Sequence, residues 1–221
     1  MDKVAIIVAG GTGSRMGTQM PKQFLLLHGK PVLYYTLQRF LNAYEDMQVV
    51  LVLPEQYMDM GQEIIDGWFD RERVRITVGG ASRFESVKNG LKLVDSEAVV
   101  FVHDAVRCLV TEDLIRRCFE AASETGSAIP VVPSSDSVRI LRQDGSEALD
   151  RERVLMVQTP QVFHSKILLP AFAIEYKEKF TDEASVVEAY GIKVSLVEGE
   201  RNNIKITHAI DMKVAEQLLN D

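Results

Sequence analysis

Short apolar runs rich in β-branched residues recur along the chain, at Val4–Val8, Val49–Leu53, Val74–Val78, Val99–Val102, Ala128–Val132, Val154–Val157 and Ile192–Val197. Each has the length of a buried strand. Between most of them the period changes to three or four. Val32, Leu33, Leu37, Phe40 and Leu41 predict one amphipathic helix, and Phe84, Val87 and Leu91 a second, opened by the capping box Ser82-x-x-Glu85. Leu114, Ile115, Cys118, Phe119 and Ala122 predict a third, with Thr111 as N-cap and Glu112 and Asp113 in its first turn. A last helix after Thr207 presents Ile210, Val214, Ala215 and Leu218. Continuous apolar strands alternating with amphipathic helices predict a three-layer α/β/α arrangement around a mostly parallel sheet.

One segment breaks the alternation. Pro133 to Arg153 is polar and has no helical face. Val138-Arg139-Ile140-Leu141, then Asp144-Gly145, then Ala148 and Leu149 read as a β-hairpin. A lone ribbon of this kind buries too little apolar surface to stand by itself. It must lie on its own domain, as a flap, or on a second copy of the chain, and a dimer arm is the favoured expectation. The 221 residues suit one domain, 1–221, with 133–153 as that arm.

Composition narrows the function. No apolar run is long enough to span a bilayer. The chain opens without a cationic start and apolar h-region, which predicts a protein that is not exported. Two cysteines, Cys108 and Cys118, are too few for a zinc site or a disulfide framework, and the expectation is reduced thiols in a cytoplasm. A net charge of −7 argues against nucleic acid as partner. Yet residues 3–44 hold no Asp or Glu, while carrying Lys3, Arg15, Lys22, Lys30 and Arg39. Such a window predicts a locally positive surface for a small polyanion, or else a chance fluctuation on a solvated face.

Ala9-Gly10-Gly11-Thr12-Gly13-Ser14-Arg15-Met16-Gly17 follows the first strand. A glycine-rich turn at a strand's carboxyl end lets backbone N–H groups approach phosphate closely. A P-loop is excluded, because no Gly-Lys-Ser/Thr occurs. A dinucleotide-binding oxidoreductase wants an acid at the end of the next strand, and none lies between Asp2 and Glu45. Pro21 also interrupts the helix that should follow. That reading survives as the minor one. In the third, Arg15 and Lys22 reach a nucleoside triphosphate and its leaving pyrophosphate, the one as a planar fork and the other as a point charge. Each is otherwise a solvated loop cation.

The run A-G-G-T-G-S-R-M-G-x-x-x-P-K-Q resembles the signature of the sugar-phosphate nucleotidyltransferases. More narrowly, it is similar to the 2-C-methyl-D-erythritol 4-phosphate cytidylyltransferases of non-mevalonate isoprenoid biosynthesis. The resemblance continues through G-G-x-x-R-x-x-S-V at Gly79–Val87, V-H-D-A-x-R at Val102–Arg107 and Q-T-P-Q at Gln158–Gln161. It extends through T-D-E-A-S at Thr181–Ser185 and V-E-G-x-x-x-N-I-K-I-T at Val197–Thr207. Six blocks in family order cover nearly the whole chain. The resemblance implies a Rossmann-like nucleotidyltransferase fold, a homodimer and a divalent cation such as Mg²⁺. It implies a CTP site built from Ala9, Gly10, Gly11, Gly13, Arg15, Lys22, Gly80, Arg83, Ser86, Asp104 and Ala105. The acceptor site would take Asp104, Arg107, Ser137, Arg151, Thr159, Thr181 and Lys205.

Within that set the resemblance makes Arg15, Lys22, Arg151 and Lys205 the catalytic cations, with Arg151 reaching across the dimer. Asp104 is the carboxylate nearest the metal, or alternatively a cap for the following turn. His103 is read as scaffold. Lys205 sits in an otherwise apolar stretch read as a strand, a costly place for an ammonium without an anion, unless it snorkels from an edge. Three positions depart from the family: Ser137 where Thr is more usual, Cys108 where Pro often follows the Arg, and Ala81 where an acid is common. The implied reaction joins CTP to a sugar-alcohol phosphate with release of pyrophosphate. Ribitol 5-phosphate in place of methylerythritol phosphate, an NAD(P)-binding oxidoreductase and a non-catalytic nucleotide sensor remain the alternatives.

Overall fold

A computed structural model of the chain describes residues 1–10, 20–94 and 97–219. The chain runs β1 (Asp2–Val8), β2 (Leu26–Leu27), β3 (Lys30–Pro31), α1 (Val32–Ala43), β4 (Met47–Leu53), α2 (Met58–Trp68), β5 (Val74–Val78), α3 (Arg83–Leu91), β6 (Ala98–Asp104), α4 (Glu112–Thr125) and β7 (Ser127–Pro133). It continues as β8 (Val138–Arg142), β9 (Gly145–Leu149), β10 (Leu155–Val157), β11 (Gln161–His164), α5 (Ser165–Ala171), α6 (Glu183–Ala189), β12 (Leu196–Glu198) and α7 (Ala209–Leu218).

The central sheet has the order β10-β7-β11-β6-β1-β4-β5, with β12 paired to β7. β1 is parallel to both β4 and β6, and β4 to β5. β1 parts its residues between two layers of core. Ala5 and Ile7 pack with Leu33, Leu37 and Phe40 of α1 and Leu114, Ile115 and Cys118 of α4. Val4, Ile6 and Val8 pack with Phe84, Val87 and Leu91 of α3 and with α5 and α6. Because successive side chains point to opposite faces, a strand covered on both sides must be apolar throughout, which is why β1 reads as an unbroken run. Full burial of each such side chain contributes about 1.5–3 kcal/mol.

The helix ends follow their local chemistry. Ser82 and Glu85 form the reciprocal capping box of α3, and Thr111 Oγ1 accepts the Leu114 N–H at the start of α4. α4 stops at Gly126, whose φ of +89° places it in the left-handed region.

Four features depart from the sequence expectation. β11 enters antiparallel between β6 and β7; its four residues lie within a stretch that carries little alternation. Of the Ile192–Val197 run, only its end is strand, because β12 has partners on β7 over three residues alone. The hairpin pairs Arg142 with Gly145, so Gln143 and Asp144 form the turn and Gly145 begins the return. α7 buries Ala215 fully but leaves Ile210 and Val214 exposed, since it covers only a small satellite core around Leu27, Val32, Cys108 and Ile206.

Two consequences position the site. The sheet grows from β1 to β4 and β5 on one side and to β6 on the other, so a crevice opens where the direction of winding changes, above the carboxyl ends of β1 and β6. On the other side of β6, β10 and β11 both run antiparallel to β7, and their pairing sums differ by two residues (Val157↔Val131 against Val162↔Ala128). The excess is taken up by Gln158–Gln161, which bulges over the same edge. Beyond β7 the ribbon β8–β9 leaves the sheet, with Leu141 85% exposed. Both thiols, Cys108 and Cys118, are buried and free, and burial pushes each up to about 12.

Candidate active site

Two adjoining cavities lie at the carboxyl edge of the sheet. The first, of about 280 Å³, is lined by the ends of β1 (Val8, Ala9, Gly10), by Lys22 and Gln23, by the Gly80–Arg83 turn with Ser86, and by Asp104 and Lys205. The second, of about 220 Å³, is lined by Arg107, by Gln158, Thr159 and Gln161 of the bulge, and by Thr181 and Asp182. Arg83, Asp104 and Lys205 belong to both and form the wall between them.

That wall is an ion cluster. Asp104 ends β6, and its carboxylate meets Arg83 Nε at 3.2 Å, Lys205 Nζ at 2.8 Å and Arg107 Nε at 3.8 Å. Burial alone would raise the Asp104 carboxyl, but the fields of Arg83 and Lys205 outweigh it and hold it well below the usual carboxylate range. Arg83 is in turn forked onto Glu183, with Nη2 donating to Oε2 at 3.1 Å and Nη1 to Oε1. Against the cost of burial, these two carboxylates raise the Arg83 guanidinium above its ordinary value. Among the described residues, the two cavities present four cations (Lys22, Arg83, Arg107, Lys205) against the carboxylates Asp104 and Asp182, with Glu183 behind Arg83 as a third. The surplus is positive, as a polyanion requires.

The neutral groups are fixed as firmly. Gln23 is buried and donates to the Ala9 carbonyl at 2.7 Å, while Lys22 Nζ donates to the Ile206 carbonyl at 3.0 Å. The Ser86 hydroxyl donates to Ser82 O (2.9 Å) and accepts the Gly80 N–H (3.1 Å), so it shapes the turn that lines the first cavity. Gly80 must be glycine, since a Cβ there would stand 2.3 Å from Glu85 Cβ. In the second cavity, His103 lies against the Arg107 carbonyl through Nε2 (3.2 Å) and against the Thr159 hydroxyl through Nδ1 (3.0 Å). A carbonyl only accepts, so Nε2 carries the proton, Nδ1 is bare, and Thr159 donates to it. Thr159 Oγ1 also accepts the Asp104 N–H (3.1 Å). With its proton on His103, Thr159 Oγ1 has only acceptor capacity left, and Thr159 lines the second cavity. Asn203, fully buried, donates its side-chain amide to the Thr159 backbone carbonyl (2.8 Å), and its own backbone carbonyl accepts from Arg107 Nη1 (2.8 Å).

Of the residues expected at the site, Ala9, Gly10, Lys22, Gly80, Arg83, Ser86, Asp104, Arg107, Thr159, Thr181 and Lys205 line one cavity or both. Gly11, Gly13 and Arg15 lie outside the described residues. Ala105 lines neither; it is buried, and its N–H is bonded to Val8 O. Ser137 and Arg151 are exposed at the base of the arm and line neither cavity, Arg151 Nη1 reaching only the Ser135 carbonyl at 3.5 Å. Lys205 is not in a strand. Residues 204–207 form a loop beside Val106, to which it is tied by the backbone bond Ile206 N–H to Val106 O. The anion that compensates Lys205 is Asp104. The acid-free window resolves differently from its expectation as well. Lys3 pairs with Asp46, Lys30 lies over the Tyr34 ring and Arg39 faces Glu112, so among the described cations of that window only Lys22 lines the site.

Sequence reasoning did not single out Gln23, Asn203 or Glu183, though each lies within a quoted motif. Each follows a polar residue and precedes an apolar one (Lys22 and Phe24, Asn202 and Ile204, Asp182 and Ala184), so local patterning carried no signal that these side chains are buried against partners. For a divalent cation, no cluster of three His, Cys, Asp or Glu side chains exists among the described residues. Among the described residues, Asp104 is the one carboxylate lining the first cavity. This donor set fits an ion brought in on phosphate oxygens, with Asp104 as its single side-chain ligand, and not one held in a protein cage.

The family model described as 2-C-methyl-D-erythritol 4-phosphate cytidylyltransferase matches residues 3–221. A protein of that name from Bacteroides fragilis is 49% identical over 220 residues, covering 99% of this chain and 100% of the relative. The crystal structure of 4-diphosphocytidyl-2C-methyl-D-erythritol synthase from Anaerococcus prevotii superposes with a TM-score of 0.85 at 28% identity, over 100% of this chain and 99% of that one. That of 2-C-methyl-D-erythritol 4-phosphate cytidylyltransferase from Thermus thermophilus gives 0.78 at 32% identity, over the whole of both chains. These likenesses establish the α/β nucleotidyltransferase fold.

The buried imidazole generates a pH prediction. Burial lowers His103 from 6.5 to about 3, so below pH 6.5 the unfolded chain binds a proton that the folded chain refuses. Stability contributed by neutral His103 is complete above about pH 6.5 and is lost as the pH falls towards 3, at about 1.4 kcal/mol per pH unit. Urea unfolding at pH 6 and pH 4.5 should show a shallower loss in His103→Asn than in the parent. Equal slopes would mean that His103 is already charged when folded.

Proposed function

This chain belongs to the 2-C-methyl-D-erythritol 4-phosphate cytidylyltransferase family, and from that membership we infer that it transfers the cytidylyl group of CTP to 2-C-methyl-D-erythritol 4-phosphate. The products are 4-diphosphocytidyl-2-C-methyl-D-erythritol and pyrophosphate, and the enzyme serves isoprenoid biosynthesis by the non-mevalonate route. The observation that carries the reading is the pair of adjoining cavities divided by Arg83, Asp104 and Lys205. A two-substrate transfer needs two chambers that meet, so that the attacking oxygen can touch the phosphorus, and these three residues line both sides of that junction.

The acceptor's phosphate oxygen attacks the α-phosphorus in line, forming the new P–O bond as the bond to pyrophosphate breaks. The nucleophile is already anionic near neutral pH, so no strong general base is needed. Catalysis then consists of bringing two anions together and stabilising charge on the transferring group. Lys22, with Arg15 of the glycine-rich loop, is assigned to the α-phosphate and the departing pyrophosphate. Lys205 and Arg107 are assigned to the attacking phosphate, and Thr159 to a polyol hydroxyl. The turn at Gly80–Ser86 is assigned to cytosine, where backbone groups can tell its 4-amino group from the 4-oxo group of uracil. A magnesium ion, when bound, neutralises triphosphate oxygens, with Asp104 as the residue that would hold it.

Dimerisation through the 133–153 arm belongs to the same proposal. The ribbon has no core of its own, and Leu155, Met156 and Val157 beside it are each about half exposed, which favours coverage by a second copy. Arg151 and Ser137 would then reach the partner's acceptor chamber. A location in the cytoplasm accords with buried, unoxidised thiols.

Ribitol 5-phosphate is the competing acceptor. In a direct competition with CTP and Mg²⁺, kcat/KM for methylerythritol phosphate should exceed that for ribitol 5-phosphate by about tenfold or more. A reversed ratio would reassign the acceptor, and CTP binding without pyrophosphate release from either would make the protein a sensor. Lys22→Ala should lower kcat by about 10²–10³ with a smaller change in KM for CTP; near-parental turnover would remove Lys22 from the transition state. Mixing Arg151→Ala with Lys22→Ala protomers should regenerate intact sites, roughly a quarter of the total on random pairing of a two-fold dimer. No recovery from proven heterodimers would confine the arm to its own subunit.

A further inference from the structure

The fork between Arg83 and Glu183 joins two segments that the reaction would otherwise leave independent. Arg83 is the first residue of α3 and closes the turn Gly80-Ala81-Ser82, all of which lines the nucleotide chamber. Glu183 is the first residue of α6 and follows Thr181 and Asp182, which line the acceptor chamber. Glu183 is 1% exposed and lines neither cavity, so it is placed behind Arg83 and not toward a ligand. Asp182 caps α6 by accepting the Ser185 N–H and is itself held by Gln161 Nε2 at 2.9 Å. Gln161 Oε1 accepts the Ala184 N–H at 2.8 Å. The turn that carries Glu183 is therefore pinned to the bulge beneath the acceptor chamber.

A forked arginine–carboxylate pair fixes both the position and the plane of the guanidinium, which a single bond does not. With two nitrogens on Glu183, Arg83 keeps its Nε against Asp104 and cannot swing toward a triphosphate. Displacement of either loop by its own ligand must then be passed to the other through this contact. Resting on the cytidylyl-transfer reading above, we propose that Glu183 is a positioning residue that couples the two chambers: through the fork to Arg83, occupancy of one by CTP raises the affinity of the other for the acceptor phosphate, and the reverse.

Coupling between sites is reciprocal and has a direct readout. The affinity of an unreactive α,β-methylene analogue of CTP, with Mg²⁺, is measured by titration calorimetry with and without saturating 2-C-methyl-D-erythritol 4-phosphate. In the parent protein the acceptor should tighten analogue binding by about fivefold or more, within the ordinary range of such effects. In Glu183→Gln, which keeps the size but not the charge, each ligand alone should bind within about threefold of the parent, while the coupling ratio falls to within about twofold of one. Glu183→Asp, which keeps the charge but falls a methylene short of the fork, should lose the coupling likewise and serves if Glu183→Gln does not fold. A purely structural role would lower Tm and leave the ratio intact. Coupling that persists in a folded variant, or is absent from the parent, overturns the proposal and leaves the reaction standing. An analogue that does not bind the parent at all overturns the cytidylyl-transfer reading, and this inference with it.

Discussion

A single carboxylate governs the architecture of the site. Asp104 ends a strand that is buried over its full length, and a buried carboxylate stays ionised only when cations are brought to it. Three come, from widely separated segments: Arg83 from α3, Arg107 from the turn after β6, and Lys205 from a loop near the C-terminus. Satisfying Asp104 thus gathers three cations at the wall between the two cavities. The anion is weaker competition for them than its burial implies, because one carboxylate divides its charge among three partners. The Rossmann-like sheet contributes the place, since only at the change of winding do two strand ends leave room above them.

Much of the fold was legible because it rests on local regularities. The unbroken apolar runs at β1, β4 and β6 require cover on both faces, and Ser82-x-x-Glu85 and Thr111 announce their helices by satisfying specific N–H groups. β11 was not legible, because its place between β6 and β7 depends on pairing partners distant in sequence. The face of α7 was misjudged for a related reason: periodicity reports which residues share a side, but not how much core waits beneath it.

The site divides in the same way. Motif resemblance named most residues that line the two cavities, whereas of the described cations in the acid-free window only Lys22 lines the site. Lys3, Lys30 and Arg39 are engaged by Asp46, Tyr34 and Glu112, while Arg83, Arg107 and Lys205 lie outside the acid-free window altogether. What no motif supplied was direction. That the Thr159 hydroxyl is left with acceptor capacity alone follows from the chain Arg107 carbonyl, His103, Thr159, which exists only once β6 and the bulge at Gln158–Gln161 lie side by side.

The two thiols have a use that their inertness creates. Cys108 and Cys118 are the only cysteines in the chain, both are shut away, and both hold their protons up to about 12. Maleimides and other electrophiles, which react with thiolates, have nothing native to attack. A cysteine placed at Leu141, at the bare tip of the ribbon, becomes the sole reporter handle on the folded molecule, so a fluorophore or spin label can follow the ribbon's surroundings without first stripping the background.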